Sequence, residues 1–160
     1  MANAGGGRLE PRPSGEQMLR ALAVLAVTTL LQTGPAPSET GGDFRVIAHA
    51  SVKGGKVARE TLADIFLKKT ARWGDGSPIE PVERSLTSPL RAGFSRKVLG
   101  RSTAEVQIYW SKAIRDGVRP PVVKGTDEDV IAFVSGTPGA ISYVGADREL
   151  PADVKVIDLQ

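Results

Sequence analysis

Four helix starts are spelled out in this chain, and each stands between apolar runs too short to be helices themselves. Ser88-Pro89 places an N-cap residue before a proline suited to the first helical position. Ser102-Thr-Ala-Glu105 and Thr61-Leu-Ala-Asp64 have the spacing of a capping box. Thr126 precedes Asp127, Glu128 and Asp129, acids that suit the positive end of a helix dipole. The intervening runs are Phe44 to Ala48, Ile79 to Val82, Ala140 to Val144 and Val154 to Leu159. Their β-branched content and length fit strands. Strands interspersed with helices confine the chain to an α/β or α+β layer architecture around one sheet.

Periodicity fills in the helices. Leu90, Phe94 and Val98 fall at i, i+4 and i+8, and Gly100 closes that segment. Val106, Trp110, Ala113 and Ile114 follow the second cap at helical spacing and end before Gly117. Leu62, Ile65, Phe66 and Leu67 form the apolar side of the first helix, with Lys68 and Lys69 at its C-terminal end. Ser51 to Lys56 and Gly74-Asp75-Gly76 read as turns, and Pro120-Pro121 as an extended link.

The first forty residues read as an address. Residues 1–17 are rich in Gly, Pro and Arg and lack periodicity. Arg20 then precedes the apolar run Ala21 to Leu31, which gives way to a Pro- and Gly-containing stretch. That is the layout of a secretory signal peptide over residues 1–38, with cleavage after Ser38 and Met18 as an alternative start. The run is shorter than the ~20 residues a membrane-spanning helix needs. The expected mature domain is 39–160, in a periplasmic or secreted setting.

Charge and composition narrow the function. Of 21 basic and 18 acidic side chains, Arg8, Arg12, Arg20, Glu10 and Glu16 lie in the signal, leaving a net of +2 on the mature part. That bias welcomes a small anion but is no nucleic-acid footprint. There is no cysteine, and His49 is the only histidine. No Gly-x-Ser-x-Gly, phosphate-binding Walker loop, dinucleotide fingerprint or paired-histidine metal motif occurs, so neither enzyme activity nor a cofactor nor a metal is expected. The acids 127–129 lack the spaced ligands of a calcium loop. Trp73, Tyr109 and Trp110 sit in apolar periodicity that fits core packing.

Three segments, in order, resemble the phosphate-binding proteins of ABC transporters. They are Leu62 to Lys69 followed by Trp73; Pro81-Val-Glu-Arg-Ser-Leu-Thr-Ser-Pro-Leu-Arg91 with Phe94; and Thr137-Pro-Gly-Ala-Ile-Ser-Tyr-Val144. The resemblance implies a single lobe of a type II periplasmic-binding-protein fold, a mixed sheet flanked by helices. It implies inorganic phosphate or a similar oxyanion as ligand, and a transporter or other envelope protein as partner. It places Arg84 as the oxyanion-pairing arginine and Ser88 as a hydroxyl donor, with the backbone amides of Leu90 and Arg91 completing a half-shell. Leu90 stands where that family has a threonine, and Leu86 where it has an aspartate that accepts the proton of phosphate, a loss that implies weaker selectivity between phosphate and sulfate. Such proteins close two lobes on the ligand, and a second lobe would have to come from another chain or a homodimer.

Each site residue also has a plainer reading. Ser88 serves as a helix cap, Arg84 pairs with Glu83 or another acid, and Arg91 lies on a solvated helix face. The competing function is an envelope interaction module on a lobe that has lost its ligand. Whether Arg84 faces a concavity or turns onto an acid distinguishes the two.

Overall fold

The computed structural model describes residues 42–160. The expected signal peptide over residues 1–38 and the alternative start at Met18 therefore lie outside the described residues. The elements run β1 Phe44–His49, β2 Lys56–Val57, α1 Arg59–Phe66, β3 Glu80–Arg84, α2 Pro89–Phe94, a π-helical turn Ser95–Leu99, α3 Thr103–Arg115, β4 Val122–Lys124, α4 Asp127–Gly136, β5 Ala140–Gly145 and β6 Val154–Leu159. The six strands form one mixed sheet in the order β2-β6-β1-β5-β3-β4. β1 is antiparallel to β5 and β6, while β3 runs parallel to both β4 and β5.

The sheet separates two apolar layers. On one face, Val46, Ala48, Ile141 and Tyr143 pack against Leu62, Ile65 and Phe66 of α1, Phe94 and Val98 of the α2 segment, and Val106 and Trp110 of α3. On the other, Ile47, Val82, Ala140 and Val144 meet Val130 and Val134 of α4. The strand alternation thus sends successive side chains to opposite helical layers, as period two demands. Phe94 stacks on Tyr143 with centroids 4.0 Å apart, and Phe44 and Phe66 pack around the pair. Trp110 is buried, while Trp73 and Tyr109 are partly so and bond the carbonyls of Gly139 and Leu67 at 3.1 and 2.8 Å. All three belong to the packing.

Two caps form as their sequences require. Ser102 and Glu105, and Thr126 and Asp129, exchange both reciprocal bonds of a capping box. Thr61 does not cap. The first helix starts at Arg59 with Ala58 as N-cap, because the Arg59 amide is tied to the Gln160 carbonyl at 2.9 Å, a contact that local sequence does not encode. Its last residue is Phe66, so Lys68 and Lys69 lie beyond it; Lys68 takes φ 57°, and Lys69 reaches back to Asp64 at 3.2 Å. The helix expected from Ser88 to Gly100 keeps its buried Phe94 and Val98 but widens into the π-helical turn before Gly100 closes it at φ 64°. Two short edge strands carry no sequence signal: Lys56–Val57, at the end of the turn read over Ser51 to Lys56, and Val122–Lys124, just past the Pro120-Pro121 link.

A topological switch lies between β3 and β4. After β3 the chain crosses to the α1–α3 layer, and after β4 it crosses to the α4 layer. In open α/β sheets, ligands bind outside the carboxyl ends of strands at such a point. The segment Arg84 to Arg91 occupies this end of β3.

Candidate anion site

β3 ends on Arg84, and the loop Ser85–Ser88 turns tightly into α2. The Ser88 amide donates to the Ser85 carbonyl at 3.0 Å, and the Ser85 amide donates to Lys124 of β4 at 3.0 Å. Ser88 occupies the N-cap position with extended backbone, yet its hydroxyl makes no capping bond. The Ser88 carbonyl accepts the Arg91 amide at 3.0 Å. Pro89 has no N–H, so the Leu90 amide is the first donor of the helix, where no intrahelical acceptor exists. Of the half-shell expected from sequence, the Ser88 hydroxyl and the Leu90 amide thus have no partner among the described residues, while the Arg91 amide is engaged in the turn.

The two arginines diverge. Alternation along β3 sends Glu83 to the α2 side and Arg84 to the α4 side. Arg84 is 6% exposed and turns onto an acid: Nη1 lies 3.1 Å from Oδ1 of Asp127. Neither of those atoms reaches hydrogen-bond geometry, and Nε of Arg84 also lacks a partner among the described residues. Asp127 is the first residue of α4 and is itself buried. Its Oδ2 accepts from Arg148 Nε at 2.8 Å and from the Gly145 amide at 3.3 Å. Arg148 also lies 3.5 Å from Glu128, and its pKa is raised, first by the hydrogen bond to Asp127. Of the acids 127–129, Asp127 and Glu128 thus pair with arginines and Asp129 completes the cap.

Arg91 is not on a solvated face. At 3% exposure it runs under the loop, donating from Nη1 to the Arg84 carbonyl at 2.6 Å with Glu83 Oε1 at 3.6 Å. Glu83 Oε1 also accepts the Tyr143 hydroxyl and, at 3.1 Å, the Arg84 amide. Burial pushes the Glu83 carboxyl above its ordinary 4.5, with Arg91 and Tyr143 pulling the other way. Burial, with the Glu83 charge behind it, holds the Tyr143 phenol well above 10. Arg84 does not use its neighbour Glu83 as a counter-charge; its acid is Asp127, 43 positions on, which no local spacing signals.

The other two predicted positions flank the loop. Leu86 is 54% exposed at the loop tip, while Leu90 packs partly buried against the α1–α3 layer. Beside Leu86 opens a hollow of about 360 Å³, lined by Arg91, Trp110, Ile114, Pro121 and Val123.

No protein-family model matches the chain, and no curated protein matches it. Solved structures do. One is a phosphate ABC transporter substrate-binding protein with bound phosphate from Clostridium perfringens, similar at TM-score 0.57 and 18% identity over 72% of this chain and 44% of that one. An ABC-type phosphate transport receptor from Vibrio cholerae gives 0.56 and 17% over 72% and 45%. PstS from Borrelia burgdorferi gives 0.58 and 18% over 73% and 47%. The chain spans less than half the length of each of these structures. Residues 42–160 therefore have the mixed α/β fold of one lobe of a periplasmic binding protein, in the structural neighbourhood of the phosphate receptors.

Proposed function

We propose that this chain is an exported, non-enzymatic binding domain that holds an oxyanion weakly at the carboxyl end of β3. The observation that carries this reading is the Ser88 hydroxyl, which sits at a helix N-cap without capping, next to the Leu90 amide at the switch point. A serine that satisfied only its own helix would bond the backbone there, as Ser102 does. Fold likeness to phosphate receptors supports the ligand class, and the signal-like layout of residues 1–38 supports export. Among the described residues, no helix is long and apolar enough to cross a membrane.

Affinity is limited by geometry. A five-atom oxyanion cannot exceed about −7.5 kcal/mol, given a ceiling near −1.5 kcal/mol per heavy atom. One hydroxyl, one amide and an arginine already paired with a carboxylate fall well short, so millimolar binding is expected, equivalent to about −4.1 kcal/mol. Tight capture would need a second lobe, from a homodimer or an envelope partner. Isothermal titration with phosphate and then sulfate tests this. Saturable binding that Ser88→Ala and Arg84→Ala each abolish supports it, with similar affinity for both ions following from Leu86. No heat with either ion at tens of millimolar refutes it.

The turn of Arg84 onto Asp127 and the apolar hollow favour a second reading, an interaction module. Leu86, Ile114 and Val123 are all more than half exposed beside edge strand β4. A Leu86→Asp variant that keeps phosphate binding but loses an envelope partner would support it.

A further inference from the structure

Three groups hold the Asp127 carboxylate: Arg84 at 3.1 Å, Arg148 at 2.8 Å and the Gly145 amide at 3.3 Å. Two guanidiniums and a backbone N–H are the donors an external oxyanion would take. They gather where β3 and β5, adjacent and parallel, reach their carboxyl ends. The chain thus supplies an anion of its own beside the carboxyl end of β3, the strand whose end carries the proposed site.

We propose that Asp127 is an internal counter-anion that competes with the external oxyanion for Arg84. This deepens the oxyanion reading and rests on it. In this structure Arg84 is turned to Asp127. Binding at the Ser88–Leu90 helix start requires Arg84 to exchange that carboxylate for the ligand.

The two oxygens of Asp127 are held unequally, and the difference favours exchange over a permanent bridge. Oδ2 keeps two hydrogen bonds, from Arg148 and Gly145. Oδ1 meets Arg84 without hydrogen-bond alignment, and Nε and Nη1 of Arg84 find no hydrogen-bond partner among the described residues. When Arg84 leaves, Asp127 retains a counter-charge in Arg148, so the release does not strand a buried carboxylate. Arg84 meanwhile gains donor–acceptor pairs that it lacks against Asp127. Arg148 is half exposed, so this side of the network already reaches solvent.

The test is Asp127→Asn, which keeps shape and removes the charge. Inorganic phosphate is titrated into wild type and variant at constant ionic strength, with sodium chloride as control. The expected result is binding tightened about tenfold or more, with the gain lost again on adding Arg84→Ala. Binding by the variant where the wild type is silent gives the same support. A wild type that binds while the variant binds no better overturns the competition and leaves the oxyanion reading standing. Failure of both folded proteins to bind overturns both. Should the variant not fold in chloride, it is refolded in phosphate at the same ionic strength; recovery supports exchange, and no recovery overturns it.

Discussion

Replacing Arg91 by Met separates a structural arginine from a ligand-binding one. An arginine held ready for an external anion would be lost at little cost to the fold. Arg91 is instead 3% exposed, donates to the Arg84 carbonyl at 2.6 Å and stands 3.6 Å from the buried Glu83 carboxylate. Methionine fills similar apolar volume, so the loss is mainly electrostatic. A hydrogen bond from a charged donor contributes about 1.5–3 kcal/mol, and removing one partner of a buried pair costs about 3–5 kcal/mol in all. With a urea m-value of about 1.5 kcal/mol/M, a loss of 4 kcal/mol lowers the unfolding midpoint by roughly 2.7 M. The loss also depends on pH. Without Arg91, burial of Glu83 acts with less opposition, so its folded pKa rises further. The variant should therefore be less destabilised at pH 4.5, where Glu83 carries more of its proton, than above pH 7. Adding Glu83→Gln should recover part of the stability at pH 7.5, because no buried carboxylate then lacks its cation. Urea unfolding followed by far-UV circular dichroism at pH 4.5 and 7.5 measures all of this. A loss below 1 kcal/mol that is the same at both pH values would refute the reasoning and return Arg91 to the ligand.

Ser88→Ala should change stability by less than about 0.5 kcal/mol, whereas Ser102→Ala, which breaks a formed capping box, should cost about 1 kcal/mol; paired thermal melts decide. Gly139→Ala should cost more than about 3 kcal/mol or prevent folding, because φ is +82° and a Cβ there would stand 2.3 Å from the Pro78 carbonyl oxygen; soluble yield and melting temperature report it. In the wild type, the raised Glu83 pKa means that its stabilising contribution is complete below the unfolded value and fades as pH rises through the folded one. The stability advantage of wild type over Glu83→Gln should therefore shrink from pH 4.5 upward, and a constant difference would contradict that.

Much of the fold is written in local chemistry. Ser102 and Thr126 carry their own caps, and β1, β5 and β6 are long enough for their burial patterns to show. β2 and β4 have two and three residues and owe their existence to a neighbour's open edge, so no period could announce them. Thr61 misleads for a related reason, since the Gln160 carbonyl, just past the end of β6, sets where α1 begins. The candidate site divides along the same line. The Arg84–Arg91 segment and the helix start at Pro89 are legible from residue order. That Arg84 faces Asp127, while Arg91 runs under the loop to Glu83, follows from strand alternation combined with which helix covers each face. Only the assembled sheet brings those residues together.

The central claim is that the β3–α2 loop receives an oxyanion. A phosphate titration of the ¹⁵N-labelled protein, followed by amide chemical shifts at constant ionic strength, tests it most directly. The account predicts saturable shifts centred on Ser88 and Leu90, with smaller ones at Arg84 and Gly145, at millimolar phosphate. Shifts that fail to saturate, or that cluster away from this loop, would contradict it.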